Sequence, residues 1–492
     1  MWRKPIFCII ILSSAFARAQ DSSSVARLRT GIDSIIASSP LSNAFIGIEV
    51  RSLTRGDTIF ALNAGRNFVP ASNMKLLTTS TALSILGPDY VYHTYLMASG
   101  YVINDTLHGN LSIRSSGDPS ISGRFEGGVV NKTFQDWSDT LKLLDVKVVT
   151  GNVIGDDRCF DGVPFGGGWG LDWHEEVYWY AARISGLCFN DNCIDLKLTP
   201  GRIGGPVQFS TQPQTDYVSF VNNSVTVNDT INTLDFYRDS QTNTIHIVGN
   251  YPVSLDSMKV SLTVHDPTKY AATVLDETLK SSGIDVLGSV YDAREYAASH
   301  AIPPYAGMWE VASYVSPPLS ELVRVTNKES QNLYAEQIFR TLGVEKYGLG
   351  SYGNSRAVEM GFLWSVGIDT TNLQVFDGSG MSSWDLVSPD DEVKILVAMS
   401  KSPAWLAFYN SFPIAGVDGT LKYRMRGTKA EGNLRGKTGF VEDVRSLTGY
   451  LTTTDNEMFA FSCFVNHYTV STDSVNAFQD KIFTRLCSFS RK

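Results

Sequence analysis

Apolar positions recur with two different periods along the 492-residue chain, and the changes of period divide it. "SVARLRTGIDSIIASS" at 24–39 has helical spacing. "AFIGIEVRSL" and "TIFALN" alternate and predict two strands joined by a turn at Thr54-Arg55-Gly56-Asp57. "NFVPASNMKLLTTSTALSILG" at 67–87 predicts a helix that opens at Pro70-Ala71-Ser72. It carries Leu76, Leu83 and Leu86 along one stripe and stops at Gly87-Pro88. From about 95 to 300 the period shortens. Runs such as "YLMASGYVIN", "LHGNLSIRSSGDPS", "VKVVTGNVIGDD", "IDLKLTPG" and "MKVSLTVHD" alternate with Gly, Asn and Asp turns, and a single helical run intervenes at 267–284. Helical spacing returns at 317–343, interrupted near Asn327, and again in "SRAVEMGFLWSVGI" and "DDEVKILVAMSKS". The strands "NLRGKTGF", "SLTGYLTTT" and "EMFAFSCFVN" follow, the last two as a hairpin about Asp455-Asn456, and "TDSVNAFQDKIFTRLCSF" closes the chain as a helix. This pattern predicts an α+β core domain built from both ends, 20–95 and 301–492, with β-rich domains inserted at 96–300.

Length and composition agree with that division. A chain of 492 residues exceeds one ordinary domain, and 43% hydrophobic residues suffice for more than one core. The net charge of −9 argues against a nucleic-acid backbone as partner. Arg3 and Lys4 precede the apolar run "PIFCIIILSSAFA", and Ala17-Arg18-Ala19 supplies a small-x-small cleavage pattern. The reading is a signal peptide at 1–19 and a periplasmic or secreted protein, with no transmembrane anchor after cleavage. Cys8 lies inside the apolar run, which speaks against a lipoprotein. Of the remaining cysteines, Cys188 and Cys193 are close in sequence, Cys463 and Cys487 lie in elements able to meet, and Cys159 is left over. Disulfides and buried free thiols both stay open.

Three short patterns carry the candidate chemistry. Ser72-Asn73-Met74-Lys75 is S-x-x-K, Ser330-Gln331-Asn332 is S-x-N, and Lys437-Thr438-Gly439 is K-T-G. Each alone is common. In this order, on a helix start, a helix break and a strand, they form the set of serine β-lactamases and penicillin-binding proteins. A serine hydroxyl needs a base, and a lysine three residues along a helix shares its face. That lysine works as a base only when burial and nearby positive charge favour its neutral form.

On these motifs, the sequence resembles the D-alanyl-D-alanine carboxypeptidase/endopeptidase family, the class C low-molecular-mass penicillin-binding proteins. The blocks "FVPASNMKLLTTSTALSILGPDY", "GDPS", "GNVIGDDRCFDG", "TNKESQNLYAEQIFR", "DGSGMSSWDLVSP" and "PIAGVDGTLKYRMRGTKAEGNLRGKTG" resemble family blocks in family order. The resemblance implies a penicillin-binding-protein/serine β-lactamase-like transpeptidase domain, with β-rich domains inserted between the first and second motifs. It implies Ser72 as the acylated nucleophile, Lys75 as general base and Ser330 as proton relay. Asn332, Lys437, Thr438 and Gly439 would bind substrate, and the backbone N–H groups of Ser72 and Phe440 would form the oxyanion hole. Phe440 is bulkier than the family's usual residue there, and Gln331 stands where Asp is common. Asp156 and Phe160 match a family segment expected to reach the diamino-acid part of the stem peptide. Asp377, Gly378, Ser379 and Gly380 read as a structural turn near the site. The implied partners are peptidoglycan stem peptides, with β-lactams as covalent inhibitors, and no cofactor. The oligomeric state stays open, a homo-oligomer included.

Other readings have less behind them. His174-Glu175-Glu176 lacks the second histidine of a zinc H-E-x-x-H, and no G-x-S-x-G elbow occurs. The aromatic run at 169–182 reads as core, interface or a substrate wall. A secreted serine β-lactamase or esterase is the alternative enzyme, and a non-catalytic peptidoglycan-binding scaffold the alternative from another class.

Overall fold

A computed structural model describes residues 23–172, 174–301 and 305–492, so the expected signal peptide at 1–19 lies outside the described residues. The chain divides into two compact units. One takes the segments up to Gly87, Val323–Gln331 and Glu359–Lys492, and the other takes Pro88–Leu322 and Asn332–Val358.

The first unit is built on a five-stranded antiparallel sheet in the order Thr58–Leu62, Phe45–Ser52, Met458–Asn466, Val444–Thr452, Arg435–Val441. Both faces are covered, which is why "MFAFSCFVN" reads as an almost unbroken apolar run. Phe459, Phe461, Cys463 and Val465 pack with the helices 23–37 and Thr472–Cys487 in one core. The alternate residues of the same strand point the other way, and there Ser462 meets the helix Pro389–Met399.

The helix Met74–Ile85 departs from its expected single apolar stripe. Every side chain from Met74 to Leu83 is buried. Its hydroxyl residues survive there by bonding backward: Thr79 to Lys75 O at 2.6 Å, Thr81 to Leu77 O at 2.8 Å and Ser80 to Leu77 O at 3.0 Å. A Ser/Thr-rich helix thus passes as amphipathic in sequence and is central in structure.

The second unit carries five small sheets. The largest runs Val290–Asp292, Val153–Asp156, Leu111–Arg114, His93–Ala98, Trp309–Val315, with parallel and antiparallel pairs. The strand-rich texture is as expected. The helix Lys132–Leu143 within it was not, although Phe134, Trp137 and Leu141 bury one helical face. All five described cysteines are free thiols, and every one except Cys159 is buried. Among the described residues no helix is long and apolar enough to cross a membrane.

Candidate active site

Ser72 stands in a 3-10 turn, Ala71–Asn73, that leads directly into the helix Met74–Ile85. Ser72 and Lys75, three apart across the junction of turn and helix, share one face. Lys75 Nζ donates to Ser72 Oγ at 3.0 Å and to the carbonyl of Ser379 at 2.6 Å. Pro70, Ala71, Asn73 and Lys75 are buried, and Ser72 alone in this stretch reaches partly to the surface. Ala71 has φ +49°, a left-handed conformation that costs an alanine about 1–2 kcal/mol and here sets the angle at which Ser72 is presented.

The Asp377–Gly380 turn does more than fill space near the site. Asp377 accepts from the backbone N–H of Ser379 at 3.1 Å, of Gly380 at 2.6 Å and of Ser382 at 2.8 Å. That wraps the turn around one carboxylate and aims the Ser379 carbonyl at Lys75. Thr78 Oγ1 donates to Gly378 O at 2.9 Å and ties the turn to the helix Met74–Ile85. Gly380 (φ +80°) lies so close to the turn that a Cβ there would sit 1.8 Å from Ala71 O.

The helix break predicted near Asn327 falls between the helices Leu319–Lys328 and Asn332–Tyr347. Asn327 is itself helical. Its Nδ2 donates to Ser411 Oγ at 2.8 Å and Thr79 Oγ1 at 3.3 Å, which docks this helix end on the helix Met74–Ile85. Ser330 occupies the break with φ +59°. Its Oγ accepts from Lys437 Nζ at 2.9 Å. Lys437 is completely buried, and its ammonium is held well below the usual lysine range, first by burial, then by the positive charges of Lys75 and Arg445.

The third motif lies on the edge strand Arg435–Val441. Lys437 Nζ also donates to Thr438 O at 2.7 Å, and Thr438 Oγ1 donates to Thr420 Oγ1 at 2.7 Å. Gly439 has to be a glycine, because a Cβ would lie 2.6 Å from Pro70 O and 2.0 Å from Ser446 Oγ. Phe440 is 55% exposed, with the Arg445 guanidinium 4.9 Å over its ring.

Ser72, Lys75, Ser330 and Lys437 therefore stand together in the first unit. Asn332, Asp156 and Phe160 belong to the second. Asn332 is buried and donates to Tyr180 O at 2.9 Å. Asp156 is buried, accepts from Arg158 Nε at 2.8 Å and Nη2 at 2.6 Å, and takes a further bond from the Tyr305 hydroxyl. Phe160 is 2% exposed, wedged against Gly117 and Gly350. It packs there as a core side chain. In the aromatic run, Tyr178 and Tyr180 stack at 5.9 Å and Trp179 is exposed. Among the described residues no group of three or more His, Cys, Asp or Glu is placed to hold a metal ion.

The contacts of Asn73, Glu392 and Thr420 were not read from the sequence. Asn73 and Thr420 lie within quoted blocks and Glu392 within a quoted helical run, but each signals only through its folded neighbours.

The D-Ala-D-Ala carboxypeptidase 3 (S13) family matches residues 28–486 of this chain. The chain belongs to that family. It is a serine peptidase of the S13 type. The D-alanyl-D-alanine carboxypeptidase of Actinomadura sp. (strain R39) is 30% identical over 504 residues, spanning 99% of this chain and 89% of that protein. The D-alanyl-D-alanine carboxypeptidase DacB of Haemophilus influenzae is 25% identical, spanning 86% of each. The S13 chain also shares its fold with the crystal structure of penicillin binding protein 4 (dacB) from Haemophilus influenzae. The TM-score is 0.79 at 23% identity, over 93% of this chain and 99% of that one. The same Haemophilus protein has been solved complexed with a β-lactam, at a TM-score of 0.74.

Proposed function

We propose that this S13 chain hydrolyses the terminal D-Ala–D-Ala bond of peptidoglycan stem peptides, or the D-Ala–diamino-acid cross-link, through an acyl-Ser72 intermediate. The observation that carries the assignment is Lys75 Nζ at 3.0 Å from Ser72 Oγ, with Lys437 holding Ser330 beside them. Ser72 Oγ attacks the scissile carbonyl carbon as Lys75, in its neutral form, accepts the hydroxyl proton. Burial and then the positive charge of Lys75 disfavour a proton on Lys437. The oxyanion is held by the backbone N–H groups of Ser72, at a helix N-terminus, and Phe440, on the edge strand. Ser330 passes the proton from Lys75 to the departing amine, the C–N bond breaks, and D-alanine leaves. Water then attacks the acyl-serine along the reverse path. The edge strand Arg435–Val441 offers its backbone to an extended peptide, with Lys437 and Thr438 toward the terminal carboxylate.

β-Lactams enter by the same first step and stay as the acyl-enzyme. The N-terminal pattern at 1–19 supports export to the periplasm or beyond. The test is intact-protein mass after benzylpenicillin: wild type gains the mass of one antibiotic and Ser72→Ala gains none. No wild-type adduct, or an adduct that persists in Ser72→Ala, refutes the assignment. Digestion of purified muropeptides, with products separated by mass, then distinguishes loss of a terminal D-alanine from cross-link cleavage, and both from antibiotic turnover without peptide products.

A further inference from the structure

Behind the nucleophile's turn lies a carboxyl group that this chemistry leaves unused. Glu392, in the first turn of the helix Pro389–Met399, is completely buried. Its Oε2 accepts from Ser462 Oγ at 2.9 Å, from Asn73 Nδ2 at 3.3 Å and from the Thr448 hydroxyl. Asn73 Nδ2 also donates to Thr448 Oγ1 at 2.8 Å. These partners are not arbitrary places in the fold. Asn73 follows the nucleophile. Thr448 pairs with Lys437 across one strand boundary and with Ser462 across the next. One carboxyl therefore joins the turn that presents Ser72 to the strand that sets Lys437.

Burial without a paired cation favours the neutral acid, against the three donors to Oε2. Oε1 is buried with no hydrogen-bond partner, as is Asn73 Oδ1. An ionised carboxylate would leave half its charge unanswered, at a large desolvation cost. Lys437 is the cation whose field reaches Glu392, while neighbouring Asp391 adds like charge. Lys75, on the helix packed alongside, is bonded to Ser72 and Ser379 O. Arg51 at the helix start is paired with Glu49 and Asp390. Burial dominates and pushes the carboxyl up to about 8.

We propose that Glu392, as the neutral acid, is a positioning residue for acylation, locking Asn73 to Thr448 so that Ser72 and Lys437 keep their relative places. The inference rests on the assignment of Ser72 as nucleophile. It goes beyond it by predicting that the lock opens when the acid ionises. The test is the rate of benzylpenicillin acylation, read by intact mass from pH 6 to 9.5, in wild type, Glu392→Gln and Glu392→Ala. A wild-type adduct that vanishes in Ser72→Ala secures the underlying assignment first. Its absence would remove both claims.

A carboxyl titrating near 8 is about nine-tenths neutral at pH 7 and about one-tenth neutral at pH 9. The wild-type rate divided by the Glu392→Gln rate should therefore fall about tenfold over that interval. Other groups cancel in the ratio. Glu392→Gln should acylate within about threefold of wild type at pH 7. Glu392→Ala should lose at least about tenfold in maximal rate, with the half-saturating penicillin concentration unchanged. A pH-independent ratio overturns the inference, as does a Glu392→Ala that acylates like wild type. Should Glu392→Ala fail to fold, the ratio for Glu392→Gln decides alone.

Discussion

Gly380→Ala separates the placement of the nucleophile from its chemistry. The added Cβ would lie 1.8 Å from Ala71 O, 2.4 Å from Ala71 C and 3.0 Å from Ser72 N, where ordinary contact begins at 3.4 Å. All three obstacles are backbone, so no side chain can swing aside. Roughly 1–2 Å of movement has to be taken up by the Ala71–Asn73 turn or by the Asp377–Gly380 turn. Movement of the first displaces Ser72, and movement of the second withdraws the Ser379 carbonyl from Lys75. A misplacement of about 1 Å costs a positioned catalytic group on the order of 100-fold in rate. The left-handed conformation itself costs alanine about 1–2 kcal/mol. Gly367 supplies the control: its φ is +89° and nothing lies within 4 Å of its would-be Cβ. The assay pairs thermal melting with the rate of benzylpenicillin acylation. Gly367→Ala should melt slightly earlier and acylate at the wild-type rate. Gly380→Ala should remain folded and lose about 100-fold. A folded Gly380→Ala that acylates within about threefold of wild type would show that the turn does not place the nucleophile.

Lys437→Met removes the donor to Ser330. Acylation should fall by about 100- to 1,000-fold, and an unchanged rate would deny Lys437 its role. Phe160→Ala should cost about 3–5 kcal/mol in urea unfolding, because the ring fills the space between two glycines; a loss of substrate binding at unchanged stability would restore Phe160 to the substrate. The Glu392 carboxyl is raised in the folded state from 4.5 to about 8. Its stabilisation is thus full below about pH 4.5 and is lost as pH rises toward 8, at about 1.4 kcal/mol per pH unit. Wild type should therefore lose stability relative to Glu392→Gln across that window, and parallel pH–stability curves would contradict the burial argument.

The three motifs and the α+β class were legible because they depend on local chemistry. S-x-x-K needs one turn, K-T-G a strand, and a helix break shows in the apolar spacing around 327–332. What stayed hidden depends on tertiary packing. "TTSTALS" reads as a polar face until its hydroxyls are seen bonding to their own backbone. Asp156 and Phe160 sit in a block that resembles the family, but resemblance says nothing of which way a side chain points, and Phe160 points into the core. Glu392 lies among the acidic residues that open a helix, where "DDE" is an ordinary first-turn signal. Only the fold shows that its carboxyl turns inward beneath the sheet's hydroxyl pair, Thr448 and Ser462.

The sheet explains how motifs so far apart in sequence act together. Along a strand, alternate residues share a face, so Lys437 and Gly439 share one, paired with Thr448 and Ser446. That face also receives Pro70 O on Ser446 Oγ at 2.7 Å, and Asn73 on Thr448. The opposite face carries Leu447 and Leu451 into the apolar core. A one-residue slip of the edge strand would exchange these faces and turn Lys437 away from Ser330. The register is held by the two-residue connection Glu442-Asp443, in which Asp443 takes φ +60°, the left-handed conformation suited to a tight hairpin. The hairpin turn thus acts at a distance: it decides which residues of the edge strand share the face of Ser446 and Thr448, whose hydroxyls hold the Ala71–Asn73 turn through Pro70 O and Asn73.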